Sequence, residues 1–140
     1  MKHIFYFVFA SALLTIIACK NNDDPVSIYE YHAHIHSPDA TDKHIGDTLA
    51  IEVDFESHTG QPVHHINVRI FNKSTNTEVY NKPTEAHVHD SSGAYTFEDN
   101  FVLSAANGIV EGDWVLEAKV WGESDGQEET TERVEFHVHN

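Results

Sequence analysis

Histidine is the residue type in this chain with the clearest potential for chemistry, because it accounts for twelve of the 140 residues. A His-x-His motif occurs four times, and the vicinal pair His64-His65 adds two more imidazoles. Side chains two positions apart on a β-strand point to the same face, so each motif directs two rings the same way. Neutral imidazole is a preferred ligand of several transition metals, and the pattern therefore predicts metal coordination. The motifs are His32-Ala33-His34, His34-Ile35-His36, His87-Val88-His89 and His137-Val138-His139.

The other residue types narrow the choice of ion. The only cysteine is Cys19 and the only methionine is Met1, so the region that holds the histidines lacks the soft sulfur ligands that Cu(I) prefers. Nitrogen ligands with carboxylate support suit Zn²⁺, Cu²⁺ or Ni²⁺. Glu30, Glu135 and Asp90 are candidate acceptors that would hold the rings in orientation.

The first 18 residues have the composition of a secretory signal peptide. Lys2 gives a short basic start, and residues 4–18 are almost wholly apolar. The run is short for a permanent transmembrane helix, which is the alternative interpretation. It ends in Ile16-Ile17-Ala18-Cys19, which resembles a bacterial lipobox. This resemblance implies removal of residues 1–18 and a lipid on Cys19 that anchors the mature chain to a membrane.

Residues 19–26 are predicted to be the lipidated cysteine and a polar tether. Within them, Lys20-Asn21-Asn22-Asp23-Asp24 resembles the segment of lysine and acidic residues that follows the lipid cysteine in Bacteroidota lipoproteins bound for the outer surface. An ordinary solvated tether is the alternative. The resemblance implies an outer-membrane location, with the domain on the periplasmic or the cell-surface face.

The charge of the chain is strongly negative. Eight basic and 23 acidic residues give −15, and loss of Lys2 with the signal peptide changes this to −16. Such a balance argues against nucleic acid or anionic lipid headgroups as partners, and it favours cations. No second cysteine is present for a disulfide, so the fold must depend on its core or on bound metal. A domain of about 110 residues can bury enough apolar surface to fold alone.

Alternation of apolar and polar residues dominates the chain from Ser27 onward, and no stretch gives a convincing helix. Seven or so short strands with turns between them predict an all-β fold, an immunoglobulin-like antiparallel β-sandwich over residues 27–140. The cysteine pair of true immunoglobulin domains is missing, so the prediction concerns architecture only. The predicted strands are 27–36, 47–57, 63–72, 78–82 with a continuation at 86–89, 94–103, 113–122 and 130–139.

The first predicted histidine group depends on how the first strand pairs. In this fold class the first strand often pairs parallel with the last, which would bring two outward rows of imidazoles about 5 Å apart. The members of this group are His32, His34, His36, His137 and His139.

The second predicted group depends on a hairpin that turns near Thr75. If paired residue numbers sum to about 150 or 151, His64 lies near His87, with His65 and His89 close by. The two groups are expected at opposite ends of the sandwich. The loop residues His44 and His58 are further candidates, but each taken alone is interpreted as an ordinary surface histidine.

The sequence predicts that the chain is not an enzyme. It contains no Gly-x-Ser-x-Gly elbow, Walker loop or His-Glu-x-x-His motif. His87-Val88-His89 resembles the His-Val-His ligand triplet of copper–zinc superoxide dismutase, although the match is confined to three residues. The alternative to metal binding is an adhesive or scaffold β-sandwich that binds a protein or a glycan. A pH sensor and an open hydrolytic zinc site also stay open as alternatives.

Over its mature length the chain resembles an uncharacterised family of small Bacteroidota lipoproteins with an immunoglobulin-like domain and His-x-His motifs. The matching features are the Cys19 signal, the His64-His65 strand, the His87-Val88-His89 turn and a closing hairpin from Gly112-Asp113-Trp114 to Val138. The resemblance implies a fold and an envelope location, and it adds little about activity.

Overall fold

The computed structural model describes residues 30–90, 92–123 and 129–140, apart from the side chains of residues 89 and 90. The predicted signal peptide, Cys19, the tether and the start of the first strand therefore lie outside the described residues, as does most of the acidic loop at 123–129. Within the described ranges, no helix is long and apolar enough to cross a membrane.

The described residues form β-strands joined by turns, with a single turn of 3₁₀-helix at Ala105–Asn107. The alternation of apolar and polar residues predicts the bounds of several strands closely. Two of them, Val63–Asn72 and Glu78–Lys82, begin and end at the predicted residues. The strands are β1 Tyr31–Ser37, β2 Lys43–His44, β3 Thr48–Ser57, β4 Val63–Asn72, β5 Glu78–Lys82, β6 His87–Asp90, β7 Ala94–Val102, β8 Gly112–Trp121 and β9 Thr130–His139.

The strands form two sheets that enclose one apolar core. One sheet has the order β1-β3-β7, and the other has the order β2-β9-β8-β4-β5, with β6 also paired to β4. All these pairs are antiparallel except β2 with β9. The prediction of an all-β sandwich is thus confirmed.

The core is built from the inward side of each alternating strand. In β8 the inward residues include Trp114 and Leu116, which are 1% and 0% exposed, and in β9 they include Phe136 and Val138, at 3% and 0%. Burial of these side chains fixes the face of their neighbours, because successive residues of a strand point to opposite sides. His137 therefore points away from the core, as predicted.

The predicted parallel pairing of the first strand with the last is wrong for β1. Instead, β1 pairs antiparallel with β3, from Tyr31 opposite Ser57 to Ser37 opposite Glu52. The ladder ends at Pro38, which has no N–H to donate. The chain then crosses to the other sheet, where the two-residue strand β2, which was predicted to be part of a loop, pairs parallel with β9 and places His44 opposite His139.

One charged side chain is fully buried on the outward side of the larger sheet. Glu117 is 0% exposed and accepts hydrogen bonds from Nε of Arg69 and Nε of Arg133, both at 2.6 Å. Burial raises the pKa of the Glu117 carboxyl, but the two guanidinium groups outweigh this effect, and the pKa lies below its ordinary value. The carboxylate therefore stays ionised and ties together three neighbouring strands.

Candidate metal centre

The vicinal histidines at the start of β4 lie on the outward side of the larger sheet because the regular alternation breaks there. Val63 and Ile66 are both buried, and His64 and His65 between them are both partly exposed. The pairing of β4 with β6 shifts register between Val63 and His65. In an uninterrupted strand two consecutive side chains would point to opposite faces, so this irregularity is what allows both imidazoles to serve one site.

A third imidazole comes from β6. His87 lies opposite His65 in the ladder, and its Nε2 is 3.1 Å from Nε2 of His64. Nδ1 of His64 is 3.2 Å from Nδ1 of His65. The ring centroids are 4.1 to 4.7 Å apart, and the planes are tilted by 44° to 65°. One nitrogen from each ring lies within 4.8 Å of the others, so the three lone pairs can approach a common point.

The ring of His65 is held in one orientation by two contacts. Its Nδ1 is 2.7 Å from the carbonyl oxygen of Gly122, and its plane stacks on Trp121 at 5.3 Å with a 6° tilt. A carbonyl oxygen only accepts, so Nδ1 carries the proton and Nε2 carries the lone pair of the neutral ring. Ligating histidines in metal sites usually have such a donor bond on the other nitrogen.

A second group lies at the other end of β8. Its members are Glu111, His137 and His139, whose ligand atoms also lie within 4.8 Å of one another. The two rings are 4.4 Å apart and tilted by 54°. Each ring also meets a carboxylate, since His137 Nδ1 is 2.8 Å from Asp113 Oδ1 and His139 Nε2 is 3.2 Å from Asp42 Oδ2. The bond to Asp113 raises the pKa of His137 and lowers that of Asp113.

A third group has a geometry that does not suit a shared ion. Glu30, His32 and His58 have ligand atoms within 4.8 Å, but the rings of His32 and His58 are stacked at 4.3 Å with a tilt of only 26°. Lone pairs lie in the ring planes, and nearly parallel planes at this separation do not converge close to the rings. The stacked pair instead lies beside carboxylates, with His32 Nε2 3.2 Å from Glu30 Oε1.

The remaining histidines of β1 also pair with carboxylates. His34 Nε2 is 3.0 Å from Glu56 Oε1, and His36 Nε2 is 2.9 Å from Asp54 Oδ2. Hydrogen bonds from His58 and then His34 lower the pKa of Glu56. The pKa of Asp54 is lowered first by the hydroxyl of Thr96 and then by His36. This face of the smaller sheet is therefore a row of alternating imidazoles and carboxylates.

The structure brings together only part of each predicted histidine group. His64, His65 and His87 meet as predicted, although the ladder is displaced from the predicted register and pairs His87 with His65; the side chain of His89 lies outside the described part of β6. The expected meeting of His32, His34 and His36 with His137 and His139 is not found, because β1 pairs with β3.

Sequence reasoning missed Glu111 and undervalued two loop histidines. His58 stacks on His32, and His44 lies with its ring centroid 5.6 Å from that of His139. The signal for Glu111 is the register of the last hairpin. This register places Gly112 opposite Val138, and therefore Glu111 beside His139.

Comparisons with known proteins give information on the fold. No family model matches the sequence, and no curated protein matches it. Among solved structures, the solution structure of a CARDB domain from Pyrococcus furiosus is 15% identical with a TM-score of 0.51, over 79% of this chain and 94% of that domain. A crystal structure of the same domain, in complex with di-metal ions, is 16% identical with a TM-score of 0.46, over 80% of this chain and 96% of that one.

A β-glucosidase from Listeria innocua, in complex with glucose, is also similar in structure. It is 11% identical with a TM-score of 0.46, over 81% of this chain but only 16% of the enzyme. At 15% identity and a TM-score of 0.51, the likeness to the CARDB solution structure is evidence for the fold alone. It agrees with the two sheets of this chain and confirms the prediction of an immunoglobulin-like β-sandwich.

Proposed function

We propose that this chain is a lipid-anchored envelope protein that binds a divalent transition metal ion, Zn²⁺, Cu²⁺ or Ni²⁺, through His64, His65 and His87. The observation that carries the proposal is the meeting of three tilted imidazoles from two strands at a break in the sheet. The ring arrangement distinguishes this cluster from the stacked histidines of β1, which belong to a carboxylate-paired surface.

The spacing of the nitrogens supports this assignment. Four ligands about 2.0 Å from a tetrahedral zinc ion lie about 3.3 Å from one another. Nε2 of His64 and Nε2 of His87 are 3.1 Å apart, which is close to that value, and one nitrogen of each of the three rings lies within 4.8 Å of the others. The contacts with Gly122 and Trp121 orient His65 before an ion binds, so its ring is not free to rotate.

The ligand set points to capture, buffering or handover of the ion. Three imidazoles leave a coordination position for water or for a ligand of another molecule, as in zinc sites that exchange or react. We propose no catalytic step, since no sequence motif marks a nucleophile or a general base beside the cluster. The net charge of −15 would raise the local concentration of cations around the domain.

We also propose anchoring through a lipid on Cys19 at the outer membrane. The support is the sequence Ile16-Ile17-Ala18-Cys19 after an apolar segment, together with the resemblance to Bacteroidota lipoproteins. Labelling of cells with a fatty-acid analogue should mark the wild type and not Cys19→Ser, and the variant should leave the membrane fraction. Equal labelling of both proteins would contradict the anchor without bearing on the metal site.

Calorimetric titration with Zn²⁺ and Cu²⁺ tests the metal site. The full chain is extracted in detergent without a His tag, stripped with chelator and compared with His64→Gln/His87→Gln. The matched control is His34→Gln/His36→Gln, which removes two carboxylate-paired histidines of the same type. We expect the first variant to lose a binding event that the control keeps.

Two outcomes would contradict the proposal. One is equal binding by the wild type and the His64→Gln/His87→Gln variant. The other is a dissociation constant weaker than about 0.1 mM, which corresponds to only about 5–6 kcal/mol of binding free energy. Either result would favour the alternative of an adhesive or scaffold domain whose histidines are surface residues.

A further inference from the structure

We infer a second cation site, formed by Glu111, His137 and His139, that is separate from the imidazole cluster and has mixed nitrogen and oxygen ligands. It does not depend on the first site, since it uses other strands at the other end of the sandwich. It replaces the grouping with β1 that the sequence alone predicts.

The strand register builds this second site. His137 and His139 are two apart on β9 and share its outward face, because Phe136 and Val138 are buried. Glu111 immediately precedes β8, whose first residue pairs with Val138. The carboxylate is thereby placed beside the two rings, and the ring tilt of 54° lets the lone pairs converge.

Each of the two rings has one nitrogen bound to a carboxylate, which leaves the other nitrogen for the ion. Asp113 lies opposite His137 in the ladder and accepts from Nδ1, which leaves the lone pair of the neutral ring on Nε2. Asp42, which precedes β2, accepts from Nε2 of His139 and leaves the lone pair on Nδ1. A carboxylate behind a ligating imidazole fixes its tautomer and raises its basicity, which is the outer-shell arrangement found in zinc proteins.

The donor types and the exposure define what this site binds. One carboxylate and two imidazoles suit Zn²⁺ or Ni²⁺, and an exposed Glu111 leaves the remaining positions to water. A site with water-filled positions on the surface exchanges its ion readily. We therefore assign it weaker affinity than the cluster at His64, His65 and His87.

The length of β8 makes the two sites independent. Trp121 at one end of β8 pairs with His65, and Asp113 at the other end pairs with His137. Over this strand the ends are about 30 Å apart, which is several Debye lengths at physiological ionic strength. Binding at one end should not alter affinity at the other.

The number of ions bound by the stripped full chain tests the inference, by Zn²⁺ titration at pH 8. We expect two ions per wild-type chain, one for His137→Gln/His139→Gln and one for His64→Gln/His87→Gln. The control His34→Gln/His36→Gln should keep both. Loss of binding in His64→Gln/His87→Gln alone, with no change in His137→Gln/His139→Gln, would overturn the second site and leave the first intact.

Asp113→Asn tests the positioning role of the carboxylate separately. The amide oxygen still accepts a hydrogen bond, but the charge behind His137 is lost. We expect 10- to 100-fold weaker binding at the second site, with unchanged affinity at the first. Equal affinity at both sites in variant and wild type would refute the carboxylate support. A parallel loss at both sites would show general damage to the fold and would equally refute it.

Discussion

A neutral histidine binds a metal ion through the ring nitrogen that carries no proton, and a single hydrogen bond can fix which nitrogen that is. The carbonyl of Gly122 commits Nδ1 of His65, and the carboxylate of Asp113 commits Nδ1 of His137. In both rings the other nitrogen then holds the lone pair. By contrast, His32 and His58 are stacked face to face, and their planes do not meet at an ion. All four residues are histidines, and only their contacts distinguish the candidate ligands from the stacked pair.

Replacing Asp113 by Asn should lower the pKa of His137 toward its ordinary value. The hydrogen bond to the carboxylate now raises that pKa, because the charged acceptor favours the imidazolium. The interaction stabilises the fold below the ordinary histidine pKa and is lost as the pH rises through the raised value. NMR titration of the ring in the presence of chelator measures the shift. Glu111→Gln should lower the pKa less, and no change in Asp113→Asn would contradict the assignment.

Replacing Glu117 by Gln should destabilise the protein by about 1–3 kcal/mol, because two charge-assisted hydrogen bonds are weakened in a fully buried position. The control is Glu135→Gln, which removes a surface ion pair with Lys73 and should cost at most about 1 kcal/mol. Urea unfolding followed by circular dichroism measures both. Since the pKa of Glu117 is lowered, its contribution is present at neutral pH and is lost as the pH falls through that value.

At the scale of elements, alternation predicts which face of a strand is buried but not which strand lies next to it. The face assignments for β8 and β9 are correct because burial of Trp114 and Phe136 alone decides them. The predicted partner of β1 is wrong because the chain passes to the other sheet after Ser37. Tertiary packing decides this crossing, and Pro38 is nearly the only local sign of it in the sequence.

The candidate site was predictable where local pairing controls it. The turn after Asn72 folds the returning chain back along β4, and this carries β6 toward the start of β4, where His87 meets His64 despite a shift in register. The break that turns His64 and His65 to one face is not visible in the sequence, since it depends on burial of both Val63 and Ile66. Glu111 was missed because its position depends on the register of a hairpin whose loop is long.

Truncation of Phe136 to Ala should destabilise the fold by about 3–5 kcal/mol, as expected for a buried aromatic ring that leaves a cavity between the sheets. The control is Val102→Ala on β7, where the side chain is 44% exposed and the change should be within about 0.5 kcal/mol. Urea unfolding in chelator separates packing from metal binding. Equal stability of the two variants would mean that β9 does not pack as described.

At the scale of the whole molecule, the sandwich holds two groups of candidate metal-binding residues at opposite ends. The core extends through both sheets without a disulfide, and the histidines whose side chains are described lie on its outward faces and at its ends. The proposed metal binding is therefore expected to be separable from folding, unlike in small domains that fold only around zinc. The net negative charge opposes folding through electrostatic repulsion, and cations at the proposed sites would relieve part of that repulsion.

This separation predicts how chelation affects the domain. The stripped protein should keep its β-sheet circular dichroism and unfold cooperatively, because the apolar core is complete without an ion. Zn²⁺ at 100 times the dissociation constant of the stronger site should add about 2.7 kcal/mol, a rise in Tm of about 10 °C. His64→Gln/His87→Gln should lose most of that rise, whereas His34→Gln/His36→Gln should keep it. Loss of sheet structure on chelation would show that the ion, and not the core, holds the two sheets together.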